Sequence, residues 1–273
     1  MSSSTARDGG LEENQMAVKL FVLGLPGSGK SSVACYIAMC AGDRQWSTTH
    51  INDFAILYEM FQEDTQGQFK PAAYGGFDVL DFAVFDTALR KLEQEVKTHI
   101  TTAQLEEIIL IEFSRNDYQK AFQQFSQEFL QDAYFLYLNA DLEICKRRIR
   151  ERIAHPATSD DHFVSEYIFE AYYSGDNGQS IPQILKKDFG IDKKRVKIID
   201  NNCSLEVASK EINSFNDLFM DSEPALLNTS DMPVNSSSGE LTANDKIDSL
   251  ANDSGGSSPY HIDDAAKTTI GVF

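Results

Sequence analysis

Val18-Lys-Leu-Phe-Val-Leu-Gly24-Leu-Pro26-Gly27-Ser28-Gly29-Lys30-Ser31-Ser32-Val-Ala-Cys-Tyr-Ile-Ala-Met39 is the stretch on which the fold turns. An apolar run long enough for a buried strand leads into Gly24–Ser31, which fills the pattern G-x-x-x-x-G-K-[ST], and a helical pattern follows at once. Strand, glycine loop and helix in that order form a phosphate cradle. Glycines let backbone N–H groups wrap an anion, the helix aims its positive N-terminus at it, and a lysine adds a mobile charge. Read this way, Gly24, Pro26, Gly27, Ser28, Gly29, Lys30, Ser31 and Ser32 hold a nucleoside triphosphate such as ATP, and the Ser31 hydroxyl ligates Mg2+. Lys30 is expected to be an exposed loop cation whose partner is the ligand.

Outward from the loop, short apolar runs alternate with longer helical patterns. Strands are expected at Val18–Leu23, Thr48–Ile51, Ile108–Phe113, Tyr134–Leu138 and Val196–Ile199. Helices are expected at Lys30–Ala41, Phe54–Gln62, Leu80–Thr98, Tyr118–Phe129, Leu142–Ile153, Phe163–Tyr173, Ile181–Phe189 and Leu205–Phe219. Fully apolar strands between helices specify an α/β fold: a three-layer α/β/α sandwich around a parallel five-stranded sheet. Residues 1–15 read as a flexible N-terminus, 16–219 as the loop-bearing domain with a LID-like insertion, and 220–273 as a disordered acidic tail rich in Ser, Asn and Asp. Three N-x-S/T sequons, at Asn228, Asn235 and Asn252, fall in that tail and read as accidents of its composition.

The formal charge of −18 speaks against a nucleic-acid coat, which needs clustered Lys and Arg. From Asp221 onward nine acids face two lysines, an acidic surface open to a protein partner. The sequence contains no run of about 18 apolar residues and its start lacks the apolar stretch of a signal peptide, so a cytoplasmic protein with no membrane contact is expected. Cys35, Cys40, Cys145 and Cys203 show no zinc spacing and read as reduced thiols. A GTPase would carry N-K-x-D after a later strand. The sequence has none, and the nearest spelling, Asp245–Asp248, lies in the tail. Asp64-Thr-Gln-Gly67 spells D-x-x-G but follows a helix pattern, where that motif has no use.

Three further segments join the loop in resembling the P-loop kinases of small molecules and nucleotides: nucleoside monophosphate, deoxynucleoside, and gluconate or shikimate kinases. Asp53, at a helix start after the second strand, stands where such kinases keep an acid that orients or deprotonates the acceptor hydroxyl; a helix cap explains it equally. Glu112-Phe-Ser-Arg115, at the end of an apolar strand, looks like the E-R-S of deoxynucleoside kinases with its Arg displaced. The resemblance implies Glu112 as a magnesium-shell carboxylate or base, and Arg115 as a clamp on the acceptor's phosphate or the donor's γ-phosphate; a Glu–Arg ion pair is the structural alternative. Arg147, Arg148, Arg150 and Arg152 crowd a helix before a polar, LID-like loop, with Arg148 and Arg152 on one face; Glu151 offers a local partner instead. His162-Phe163 after that loop resembles gluconate-type kinases, and Tyr74 and Phe77 are placed either to stack on a base or to anchor the core. Histidines 50, 99, 155 and 261 form no visible cluster. The resemblance implies an ATP- and Mg2+-dependent phosphotransferase acting on a small-molecule phosphoryl acceptor: a nucleoside, nucleotide or sugar acid. The alternative is a nucleotide-sensing regulatory or adaptor module on the same fold.

Overall fold

The computed structural model describes residues 17–73, 76–103, 106–154, 164–202 and 205–221. The expectations for both termini, the sequons, Tyr74, His155, His162, Phe163, Cys203 and His261 lie outside these residues. The chain divides after Pro224, and every described residue belongs to the first unit.

Five strands, β1 (Ala17–Gly24), β2 (Ser47–Asn52), β5 (Glu107–Phe113), β6 (Tyr134–Asn139) and β7 (Val196–Asp200), form one parallel sheet in the order β2-β5-β1-β6-β7. All five match the sequence expectation to within a residue or so. The remaining strands, β3 (Phe69–Pro71) and β4 (Phe77–Val79), form a small antiparallel pair too short for period-two patterning to announce.

Alternation along β1 sorts its side chains onto two faces. Leu20 and Val22 meet Val33, Ala34, Ile37 and Ala41 of α1 (Lys30–Asp43), and Ile212, Phe215 and Phe219 of α9 (Leu205–Met220). Phe21 and Leu23 face the other core. It is built from α2 (Asp53–Gln62), α3 (Ala83–Ile100), α4 (Tyr118–Phe122), α5 (Gln127–Gln131), α6 (Leu142–Ala154), α7 (Glu166–Ala171) and α8 (Ile181–Phe189). Helices thus cover both faces of the sheet, the expected three layers. No described helix is long and apolar enough to cross a membrane.

One expected helix breaks in two. Tyr118–Phe129 is interrupted because the Ser126 backbone N–H donates to Glu93 Oε2 on α3 (3.0 Å), and the Ser126 hydroxyl donates to the other oxygen of that carboxylate. A hydrogen bond to a buried carboxylate outcompetes continuation of the helix, and Ser126 becomes the N-cap residue of α5. Likewise α3 starts at Ala83 rather than Leu80, because Asp81 accepts the Ala83 N–H. Asp64, of the D-x-x-G spelling, accepts the N–H groups of Gln66 and Phe69 and shapes the turn into β3.

Phe21 sits at the centre of an aromatic packet, stacked on Phe135 at 4.9 Å and edge-on to Phe113, Phe125 and Phe129. Phe21→Ala should cost about 3–5 kcal/mol through lost burial and the cavity left behind. Denaturant unfolding should show a lower midpoint with an unchanged slope.

Candidate active site

The carboxyl ends of β1, β2 and β5 lie side by side, with Asn52 opposite Glu112 and Leu23 opposite Phe113. The loop after β1 therefore opens next to whatever follows β2 and β5. Its backbone is left-handed at Gly27 (φ 79°) and Gly29 (φ 97°). A Cβ on Gly27 would come within 2.5 Å of the Cys145 carbonyl oxygen, and one on Gly29 within 2.5 Å of Asn201 Nδ2, so both positions require glycine. Two buried side chains pin this path. Tyr118 accepts the Gly24 N–H at 3.0 Å, and Asn201, just past β7, donates to the Ser28 carbonyl at 2.7 Å. Neither stands out in the sequence, because their partners are backbone atoms distant along the chain.

Lys30 opens α1 and is only 7% exposed, which corrects the expectation of a free loop cation. Its Nζ donates to the Leu25 carbonyl (3.1 Å) and to Ser114 Oγ (2.8 Å), and lies 3.7 Å from Glu112 Oε1. Burial lowers its pKa, against the pull of Glu112 and Asp53, while Arg152 lowers it further. Glu112, near the end of β5, faces Ser31 Oγ (3.4 Å to each carboxylate oxygen), Lys30 and His50 Nε2 (3.0 Å). Burial alone would raise its pKa, but His50, Lys30 and Ser31 together hold it below the usual glutamate range. His50 belongs to this cluster although the sequence shows no pattern around it. Only the register of β2 against β5 brings it to Glu112.

Asp53 does not cap α2. Asn52 does, accepting the Ala55 N–H at 3.1 Å. Asp53 instead meets Arg115 in a buried ion pair (NH1 to Oδ2, 2.5 Å), so Arg115 pairs with Asp53 rather than with Glu112. Arg115 also donates to the carbonyls of Ser114 and Phe85 and lies against the Phe85 ring. Burial raises the Asp53 pKa, and Arg115 opposes it. Of the basic residues on α6, Arg147 faces Glu151 at 3.7 Å and Arg150 bonds Glu166 at 3.0 Å, all exposed to solvent. Arg148 and Arg152 are half-buried, and Arg148 NH1 approaches the loop at Gly29. The LID-like loop beyond them, residues 155–163, lies outside the described residues. Phe77 packs against Phe54, Phe61 and Phe69, which places it in a hydrophobic anchor.

The cradle that a Cβ would fill suits a chain of phosphates. For magnesium, the donors on hand are the Ser31 hydroxyl and the Glu112 carboxylate, both hard oxygens. No cluster of three or more His, Cys, Asp or Glu able to hold a metal occurs among the described residues. That sparse set fits magnesium, which is held by one or two protein oxygens with phosphates and water completing its shell.

Residues 20–169 match the family model described as "AAA domain", and the chain belongs to that family. Comparison with curated proteins finds no match. Among solved structures the chain is similar to a gluconokinase from Sinorhizobium meliloti 1021 (16% identity, 77% of this chain and 99% of that one, TM-score 0.40). It is also similar to the Mycobacterium tuberculosis APS kinase CysC in complex with AMPPNP and APS (13%, 74% and 98%, TM-score 0.45). A third is the shikimate kinase of Acinetobacter baumannii in complex with shikimate (12%, 76% and 95%, TM-score 0.38).

Removing Arg115 strands a buried carboxylate. Arg115→Ala should destabilise by about 3–5 kcal/mol, while the double replacement Asp53→Asn with Arg115→Met should recover much of the loss in a melting experiment. Cys145, buried beneath Gly27, has its thiol pKa pushed up to about 11 by burial. It stays protonated in the fold above pH 9, where the unfolded chain ionises, so its contribution to stability is present below pH 9 and falls as pH rises through about 11. Iodoacetamide at pH 8 followed by peptide mapping should therefore find the exposed Cys35 modified and Cys145 spared.

Proposed function

We propose that the protein is an ATP-dependent phosphotransferase acting on a small molecule. The observation that carries this reading is the convergence of Lys30, Ser31 and Glu112, from two adjacent strand ends, at the mouth of the glycine loop. A site that only held phosphate would need the loop and its helix N-terminus. The added carboxylate beside Ser31 is what metal-assisted transfer of the terminal phosphoryl group requires.

In this reading the backbone of Gly24–Gly29 and the N-terminus of α1 hold the phosphates, and Lys30 neutralises charge that builds on the transferring oxygens. Ser31 and Glu112 would hold Mg2+, which would supply charge neutralisation to the phosphates when bound. His50 keeps Glu112 ionised and turned toward Ser31. Arg148 approaches the same loop, Arg152 is felt electrostatically at Lys30, and both add positive charge around the phosphates. The acceptor's hydroxyl oxygen forms its bond to the γ-phosphorus as the bond from phosphorus to the bridging oxygen breaks, releasing ADP, and the hydroxyl proton passes to the Asp53 carboxylate and on to water. The Asp53–Arg115 pair fixes the acceptor side of the site. A loose transition state asks more for positioning than for a strong base, so an aspartate held by an arginine suffices there.

Lys30→Ala should lower acceptor-stimulated ADP release by a factor of hundreds or more, the usual scale for removing a charge that meets the transition state. Melting should fall as well, by about 1–3 kcal/mol, since the variant loses two hydrogen bonds and leaves the half-buried Glu112 without its lysine, so turnover is compared on protein shown to be folded. Steady-state ADP release with an acceptor panel checks both the assignment and its rival. Release that no acceptor stimulates would favour the nucleotide-sensing module.

A further inference from the structure

A cleft of about 480 Å³ opens between the start of α3, the segment after β5, and α7 with the turn that follows it. Its walls include Phe82, Asp86, Arg115, Lys120 and Tyr172. It borders the phosphate site directly. Ser114, which accepts from Lys30 Nζ, is followed immediately by Arg115 and Asn116 in the cleft wall, and two residues span at most about 7 Å.

The charges of this cleft are already matched, with one exception. Arg115 is neutralised by Asp53, and Lys120 by Asp117 at 3.3 Å. Asp117 is further occupied by Asn177 and by the first turn of α4. Asp86, half-buried in the first turn of α3, has no ion-pair or hydrogen-bond partner among the described residues. The cleft therefore offers a free carboxylate and no free cation among those residues. A phosphate or carboxylate placed here would meet Asp86 without a compensating charge, so the expected role of Arg115 as a clamp for the acceptor's phosphate does not hold in this arrangement.

One further feature defines the occupant. Phe82 and Tyr172 lie with ring centroids 4.9 Å apart and give the cleft an aromatic wall on which a flat ring can pack. Flat, uncharged, with hydroxyl or amino donors for Asp86: this is the chemistry of a nucleoside.

We propose that this cleft is the acceptor site, that it selects uncharged nucleosides over nucleotides and sugar acids, and that Asp86 sets that selection. The proposal rests on the phosphotransferase reading above and narrows its acceptor. Calorimetric titration of the full chain, saturated with Mg2+ and a non-hydrolysable ATP analogue, with adenosine, cytidine, thymidine, AMP and gluconate tests it. At least one nucleoside should bind, with AMP and gluconate at least tenfold weaker. Asp86→Asn should weaken nucleoside binding tenfold or more with melting unchanged, and Asp86→Glu should restore part of it. Binding of AMP or gluconate in preference, no nucleoside binding at all, or equal nucleoside affinity in Asp86→Asn overturns the proposal. A nucleoside that binds through Asp86 yet stimulates no ADP release from Mg-ATP upholds the cleft's selectivity and overturns the phosphotransferase reading instead. Gluconate-stimulated release does the reverse.

Discussion

The path of the backbone from Gly24 to Gly29 is the constraint on which the rest of the site depends. Side-chain-free, left-handed positions at Gly27 and Gly29 keep that path open, but they also make it floppy. The fold supplies stiffness from outside: a tyrosine hydroxyl under Gly24, an asparagine amide on the Ser28 carbonyl, and the backbone of α6 packed beneath Gly27. These groups come from three separate parts of the chain. The loop is therefore as well defined as the sheet and helices that carry its props, and the buried aromatic packet around Phe21 bears indirectly on the geometry of the loop.

Charge is distributed by the same economy of contacts. Three ionisable groups, Lys30, Asp53 and Arg115, lie buried and a fourth, Glu112, half-buried within a few residues of the sheet's carboxyl edge, in a chain whose overall charge is strongly negative. Buried charges are tolerated when paired and hydrogen-bonded. Here they split into a Lys30–Glu112 group that faces the loop and an Asp53–Arg115 group whose arginine lines the neighbouring cleft. The first keeps a neighbouring serine hydroxyl at the surface. The second closes on itself, which converts an arginine that could attract anions into part of a neutral wall.

The helix that breaks at Ser126 illustrates how tertiary contacts edit local preference. Helical periodicity runs through Tyr118–Phe129, and the aromatic residues do face the core as that pattern requires. The Glu93 carboxylate nevertheless captures the Ser126 N–H and hydroxyl, and Lys97 completes the arrangement at 2.6 Å. No reading of residues 118–129 by themselves contains Glu93.

Sequence by itself determined the five strands, their parallel layering between helices, and the phosphate loop with its lysine and serine, because these follow from apolar runs, helical periods and glycine spacing along contiguous residues. It also marked Asp53, Glu112, Arg115, Arg148 and Arg152 as the charged residues beside that loop, since each sits at a strand end or on one helix face. Which of them touch was decided only by the tertiary structure. The strand order sets β2 beside β5, brings His50 onto Glu112, and gives Arg115 to Asp53 while Asn52 takes the helix cap. It also buries Lys30 and leaves Asp86 as an unmatched carboxylate in the neighbouring cleft. The physical reason is that hydrogen bonds and ion pairs are short-ranged contacts between side chains tens of residues apart. They exist only once packing has fixed the register of strands and the approach of helices.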